Sequence, residues 1–308
     1  MTDAVEPDLP RGVALAWGIA ADPQRGPKRE MSVERIVDAA VEIADAEGLG
    51  AVSMAAVAAR LGFTPMSLYR YVTAKDDLVL LMQEEATGLP SEGMHVGSWR
   101  ERLEALYGEQ VQQYLRHPWV LDVPISGSPA TPNSAAWMDA GLAALADTPL
   151  SHNDRLAVIL LVTGHARWTG TVLAGYARVA REHSESDADI TLREDALYRH
   201  LISGDEFPDL RAAIDAGVFL DESDPFAFGV ARSLDGVETY LAALAAGRAD
   251  EPRPWHGRDD ADIADDKKFR EARKAVRDAE KALRDARKVE RQAAREARER
   301  RARQRPPG

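Results

Sequence analysis

The stretch RLGFTPMSLYRYVTAKDDL, Arg60 to Leu78, decides how the rest of the chain is read. Gly62 supplies the positive φ that a sharp corner between two short helices needs, and Phe63 can plug that corner from inside. Thr64 reads as an N-cap and Pro65 as the first helical residue, where its missing N–H costs nothing. The short helix so begun is expected to end near Tyr71 or Val72, with Leu68 and Val72 four apart on its inner side. Pro65, Met66, Ser67, Arg70 and Tyr71 are then left on or near the outer face, with no acid before Asp76. A helix made only for solvation carries mixed charge. An acid-free face of hydrogen bonders around one guanidinium suits a polyanion. Lys75 adds a cation where the free N–H groups of the next helix also favour phosphate.

Upstream, Ile36, Val37, Ala40, Ile43 and Ala44 recur at three- and four-residue steps, giving a helix capped by Ser32 and stopped by Gly48. Ser53 caps a second helix, Met54–Leu61, which closes at Gly62. Downstream, Thr73 is read as the cap of a longer helix from Ala74 to about Thr87. The second and third helices form a helix-turn-helix. Residues 1–31 read as irregular, broken by EPDLP and DPQRGP, and concentrate Arg25, Lys28 and Arg29 just before the first helix. They are either a solvated linker or an arm reaching phosphate or a minor groove.

From Trp99 to Gly247 every segment has helical periodicity and none alternates with period two, so no sheet is expected. The segments Asp154–Glu182 and Asp224–Ala246 lack a clean polar face, which in an exposed position implies a partner. After EPRPWHGRDD the composition changes to Ala, Arg, Lys, Asp and Glu. A heptad fits it, with Phe269, Val276, Leu283, Glu290 and Ala297 at one seam position and Ala272, Ala279, Ala286 and Ala293 at the other. Alanine buries little area and Glu290 interrupts the seam. A solvated, ion-pair-laced helix, a weak coiled coil and a non-specific nucleic-acid tail all remain open for this segment. The expected division is 1–31 arm, 32–90 helix-turn-helix domain, 97–248 helical domain and 257–308 charged tail, in an all-α fold.

The order of elements over Arg35–Met82, RIVDAAVEIADAEGLGAVSMAAVAARLGFTPMSLYRYVTAKDDLVLLM, resembles the DNA-binding domain of TetR-family (tetracycline-repressor-like) regulators. The GPK arm and the later LRHPWV resemble actinobacterial-type members with a tetracycline-repressor-like C-terminal domain. The resemblance implies phosphate contacts from Ser53, Tyr69, Tyr71 and Lys75, and base-edge contacts from Thr64, Met66, Ser67 and Arg70; under the arm reading of the N-terminal segment, Lys28 and Arg29 are added to the DNA-binding candidates. It also implies a two-fold dimer on a palindromic operator, with the helices near 154–182 and 224–246 forming a four-helix bundle at the axis. The C-terminal domain would then bind a small-molecule effector and pass a shift to the DNA heads through the helix Ala74–Thr87. Trp119, Trp137, His165, Trp168 and Tyr176 are the effector-site candidates, and for each a core or dimer-interface role is the alternative. Repression is the family's usual behaviour.

The totals narrow the remaining classes. The 308 residues are 45% apolar, enough for sizeable cores, and contain no cysteine, which fits a reducing cytoplasm. The first thirty residues do not read as a signal peptide, and the apolar run RLAVILLVTGHARW is broken by charges, so a soluble cytoplasmic protein with no membrane partner is expected. The net charge of −12 hides a split. Gly257–Gly308 holds 18 Lys+Arg against 12 Asp+Glu, a net of +6, which leaves −18 on the rest. The sequence has no G-x-S-x-G, no phosphate-binding glycine loop and no H-E-x-x-H, so no enzyme is expected. Its seven histidines are scattered, with none at i, i+4, and neither metal nor cofactor is expected.

Overall fold

A computed structural model describes residues 9–20, 31–125, 127, 130–248 and 263–303. Among them the chain forms twelve α-helices and no strand. In order these are α1 (Arg11–Ala16), α2 (Val33–Glu47), α3 (Met54–Leu61), α4 (Pro65–Leu68), α5 (Lys75–Thr87), α6 (Trp99–Arg116) and α7 (Pro132–Ala144). Then follow α8 (His152–His183), α9 (Asp187–Leu201), α10 (Pro208–Asp215), α11 (Pro225–Ala245) and α12 (Lys267–Arg303). Arg25, Lys28 and Arg29 lie outside the described residues.

The caps explain most of the boundaries. Ser32 Oγ accepts from Arg35 N at 3.3 Å and Ser53 Oγ from Ala56 N at 3.1 Å, each satisfying one of the N–H groups that a helix start leaves unpaired. Gly48 ends α2 at φ 85°. Ile36, Ala40, Val52, Val57, Leu68, Val72, Leu78 and Met82 then close a first core between α2, α3, α4 and α5. α5 starts at Lys75 with Ala74 in the N-cap position and no side-chain cap, so Thr73 is not the cap. Its hydroxyl instead donates to Asp77 Oδ2 at 3.0 Å.

The segment expected to be irregular contains α1, which packs on α5. Gly12 N donates to Asp77 Oδ1 at 2.9 Å, and a Cβ at Gly12 would stand 3.1 Å from the Asp77 Cα. Only a glycine admits that approach, and the sequence signals it weakly because six residues are too few for a periodic pattern.

A second core joins α6, α7, α8 and α11 through Leu103, Leu106, Trp137, Leu145, Ile159, Val162 and Leu234. Two of these helices approach closely at Gly170, where a Cβ would meet the Tyr114 side chain at 2.7 Å. Burial pushes the Tyr114 phenol pKa up. α8 is long and apolar enough to cross a membrane by length and composition, which the charge-broken reading did not anticipate. Its Val158, Ile159, Val162, Ala166 and Gly170 are buried, on the side packed in this bundle. α9 and α10 form a hairpin held by Arg199, whose Nε donates to Asp195 Oδ2 at 2.6 Å and whose Nη2 donates to the Ile214 carbonyl at 2.8 Å. α12 belongs to a separate unit, residues 250–308, and is solvent-exposed along nearly all of its described length.

Candidate nucleic-acid interface

The corner at Gly62 is a Schellman motif. Gly62 adopts φ 78°, ψ 27°; Phe63 N donates to Ala58 O at 2.9 Å and Gly62 N to Ala59 O at 3.2 Å. Phe63, the next residue, packs on the first core, which fixes the angle at which the chain leaves α3. No atom lies within 4 Å of a Cβ built on Gly62, so a side chain there meets conformational strain and no clash. Gly62→Ala is expected to lower stability by about 1–2 kcal/mol, read as a shift in urea midpoint with unchanged m-value.

α4 is shorter than expected. Its α-helical turn stops at Leu68, and Tyr71 N bonds back to Leu68 O at 2.9 Å, a three-residue return that tightens the exit. Thr64 is extended and makes no backbone cap; its hydroxyl lies 3.0 Å from the Ser67 hydroxyl. Leu68 and Val72 are fully buried and anchor the turn. Met66 is 72% exposed and Tyr69 44%, and Arg70 and Lys75 are also exposed. Tyr71, expected on the outer face, is half-buried against the core, while Tyr69 takes the outer position. The tighter exit rotates the two rings relative to a continued α-helix.

Arg70 and Lys75 form no side-chain hydrogen bond or ion pair with any described residue. The acid nearest Lys75 on the inner side, Asp77, is held by Gly12 N and Thr73. The face therefore offers two uncommitted cations, the Tyr69 phenol, the Ser67 and Thr64 hydroxyls and an apolar Met66. Ser53 is exposed at the start of α3 with its Oγ engaged in the cap.

Three contacts tie this head to the chain that follows it, and none follows from local patterns in the sequence. Asp45 Oδ1 on α2 accepts from Trp119 Nε1 at 2.7 Å and lies 2.8 Å from His117 Nδ1. At the end of α5, Glu84 Oε1 accepts from Asn133 N at 2.7 Å and the Gly88 carbonyl accepts from Trp137 Nε1 at 3.0 Å. After α1, Trp17 Nε1 donates to the Ala130 carbonyl at 2.7 Å. The LRHPWV segment is thus a joint: its His117 and Trp119 both reach α2.

The five effector candidates do not converge. Trp119 is buried in the first core, and Trp137 is buried at the α5–α7 joint. His165 is half-buried, with Nε2 2.9 Å from the Phe226 carbonyl and its ring stacked on Tyr107 at 5.6 Å. Trp168 is 60% exposed on α8. Tyr176 donates to Glu194 at 2.8 Å and lines a groove of about 780 Å³ with Leu173, Thr191, Phe219 and Asp221.

An all-α chain whose short turn presents uncommitted cations beside a Schellman corner has the build of a helix-turn-helix regulator. Comparison with known proteins gives the family. Residues 36–82 match the model of bacterial regulatory proteins of the tetR family, and residues 89–241 match the tetracyclin repressor-like C-terminal domain. The HTH-type transcriptional repressor DrrR1 of Streptomyces coeruleorubidus is 33% identical over 238 residues, 76% of this chain and 87% of that protein. An HTH-type transcriptional regulator of Saccharopolyspora erythraea is 30% identical, over 59% of this chain and 81% of that protein. Among solved structures, ActR of Streptomyces coelicolor in complex with actinorhodin superposes with TM-score 0.54 at 21% identity, covering 71% of this chain and 97% of that one. The chain belongs to the TetR family of transcriptional regulators.

Proposed function

We propose that this regulator represses transcription by binding a palindromic operator as a homodimer and leaves it when a small molecule binds the C-terminal domain. The observation that carries the reading is the exposed stretch from α4 to the start of α5, where Arg70 and Lys75 are exposed and bonded to no described side chain, and Met66 and Tyr69 are exposed as well. In this assignment Thr64, Met66, Ser67 and Arg70 read base edges, and Ser53, Tyr69, Tyr71 and Lys75 hold phosphates. Lys28 and Arg29 extend the contact from the arm. α8 supplies the dimer face with Leu156, Leu160 and Trp168, exposed at four- and eight-residue steps, and α11 adds Phe228, 68% exposed. Apolar side chains so arranged gain by covering one another.

Repression is supported by the related DrrR1, whose name is that of a repressor. Release by a small molecule is a linkage effect: the effector must bind the non-DNA geometry better than the DNA geometry. α5 is the lever, because its C-terminal end is bonded to α7 at Glu84–Asn133 and Gly88–Trp137. Of the five candidates, Tyr176 belongs to an open groove and the other four stay as proposed contacts of a rearranged state. The protein acts in the cytoplasm, where its DNA is.

Footprinting on DNA flanking the protein's own gene tests the reading. The expected result is a protected palindrome with half-sites about one helical turn apart or somewhat more. A footprint without two-fold symmetry removes the dimer assignment, and no sequence-dependent protection removes the operator reading.

A further inference from the structure

The family match ends at residue 241, and α12 lies wholly beyond it. Six cations, Arg270, Lys274, Arg277, Lys281, Arg284 and Lys288, follow one another at alternating steps of four and three residues. That spacing places them on one side of the helix, in a stripe about 27 Å long at 1.5 Å per residue. The length equals about eight base pairs of duplex DNA at 3.4 Å each.

The solvated, ion-pair-laced reading of this helix requires those cations to be paired along the chain. None of the six forms an ion pair with a described residue, and the pair that α12 does show among the described residues is Arg300–Glu296 at 3.7 Å, outside the stripe. The sequence offers acids in both orders, with Asp266 before Arg270 and Glu280 before Arg284 as well as Lys274 before Asp278 and Lys281 before Asp285, yet none of these pairs closes to ion-pair distance. The coiled-coil reading requires a seam. Val276 and Leu283 are 57% and 51% exposed, and their partner positions are Ala272, Ala279, Ala286 and Ala293, which bury too little to hold two copies.

We propose that the stripe on α12 is a second DNA-contact surface, which holds the phosphate backbone of duplex DNA without regard to sequence while the helix-turn-helix reads the operator. Charge complementarity selects this occupant: a row of exposed guanidinium and ammonium groups meets a row of phosphates and releases condensed counterions. The result is a regulator whose acidic body would repel DNA but whose tail raises the local concentration of heads on it.

The test uses the full chain and a variant with all six cations replaced by Gln, a good helix former, on a scrambled duplex and on the footprinted fragment. If four or five of the six reach phosphates, the plot of log K against log salt becomes shallower by about 4 for the scrambled duplex. Affinity at low salt falls by about tenfold or more, and base preference in the footprint is kept. A control with Arg270, Arg277 and Arg284→Lys keeps the steep slope, since phosphate attraction needs charge and not a fork. An unchanged slope and affinity in the Gln variant, with circular dichroism showing the helix intact, overturns the proposal. So does loss of binding to phosphatidylserine-rich vesicles with an unchanged DNA slope, which would make the stripe a membrane-surface contact. The operator reading fails separately, by loss of the palindromic footprint in the unmodified protein while the salt-dependent binding remains.

Discussion

Arg70→Ala is expected to erase the preference for guanine at one position of each half-site while leaving the protein folded and still attached to DNA. A guanidinium that donates to both O6 and N7 of guanine contributes about 1–3 kcal/mol of discrimination, so competition between operator and point-changed operator should narrow by about 5- to 150-fold. The side chain is exposed and bonded to no described residue, so the unfolding midpoint should not move. Residual binding should remain and weaken steeply with salt, because the proposed contacts of Tyr69, Lys75 and the α12 stripe are with phosphate alone. Equal selectivity in the variant and the parent would remove Arg70 from base readout. Met66, 72% exposed on the same turn, would then be the remaining side chain placed to meet a thymine methyl.

The parts of the head that depend on local chemistry were legible in the sequence. Ser32 and Ser53 are caps, Gly62 takes the left-handed corner, and Leu68 and Val72 are the buried anchors, each because a single residue type satisfies a single backbone demand. The misreadings arise where two demands compete. Thr73 has the composition of a cap, yet its hydroxyl donates to Asp77, whose other carboxylate oxygen accepts from Gly12 N. α4 closes early because Leu68 O takes the N–H groups of both Tyr71 and Val72, and this half-buries Tyr71 and exposes Tyr69. The contacts between the head and the chain that follows it could not be read at all. Trp17 meets Ala130 across 113 residues and Trp119 meets Asp45 across 74, and such separations leave no period or spacing in one sequence. Trp119 is the instructive case: an aromatic from beyond the head's own segment, it belongs to the head's core, where its indole N–H requires the Asp45 carboxylate.

Leu160→Glu is expected to convert the protein to a monomer and to weaken operator binding by about a hundredfold or more. Leu160 is 61% exposed in the N-terminal third of α8, four residues from Leu156 and eight from Trp168, itself 60% exposed. The inner side of the same helix, Val158, Ile159 and Val162, is buried. The introduced carboxylate therefore stays in water in the isolated chain, and the substitution should leave helicity unchanged and stability within about 0.5 kcal/mol of the parent. At a two-fold interface each copy brings the same new charge, and both carboxylates would be desolvated without a partner, which costs several kcal/mol. Operator affinity follows from the loss of the second head. A dimer binds its second half-site at a high effective concentration, a gain of about 10²–10⁴ that a monomer forfeits without losing a single DNA contact. Sedimentation gives the mass, and titration of a whole operator against an isolated half-site gives the affinity. The monomer should bind the two DNAs nearly alike, where the parent should strongly prefer the whole site. A variant that stays dimeric moves the interface off this face of α8; a variant that is monomeric yet keeps the full preference for the whole operator removes the dimer from the account of recognition.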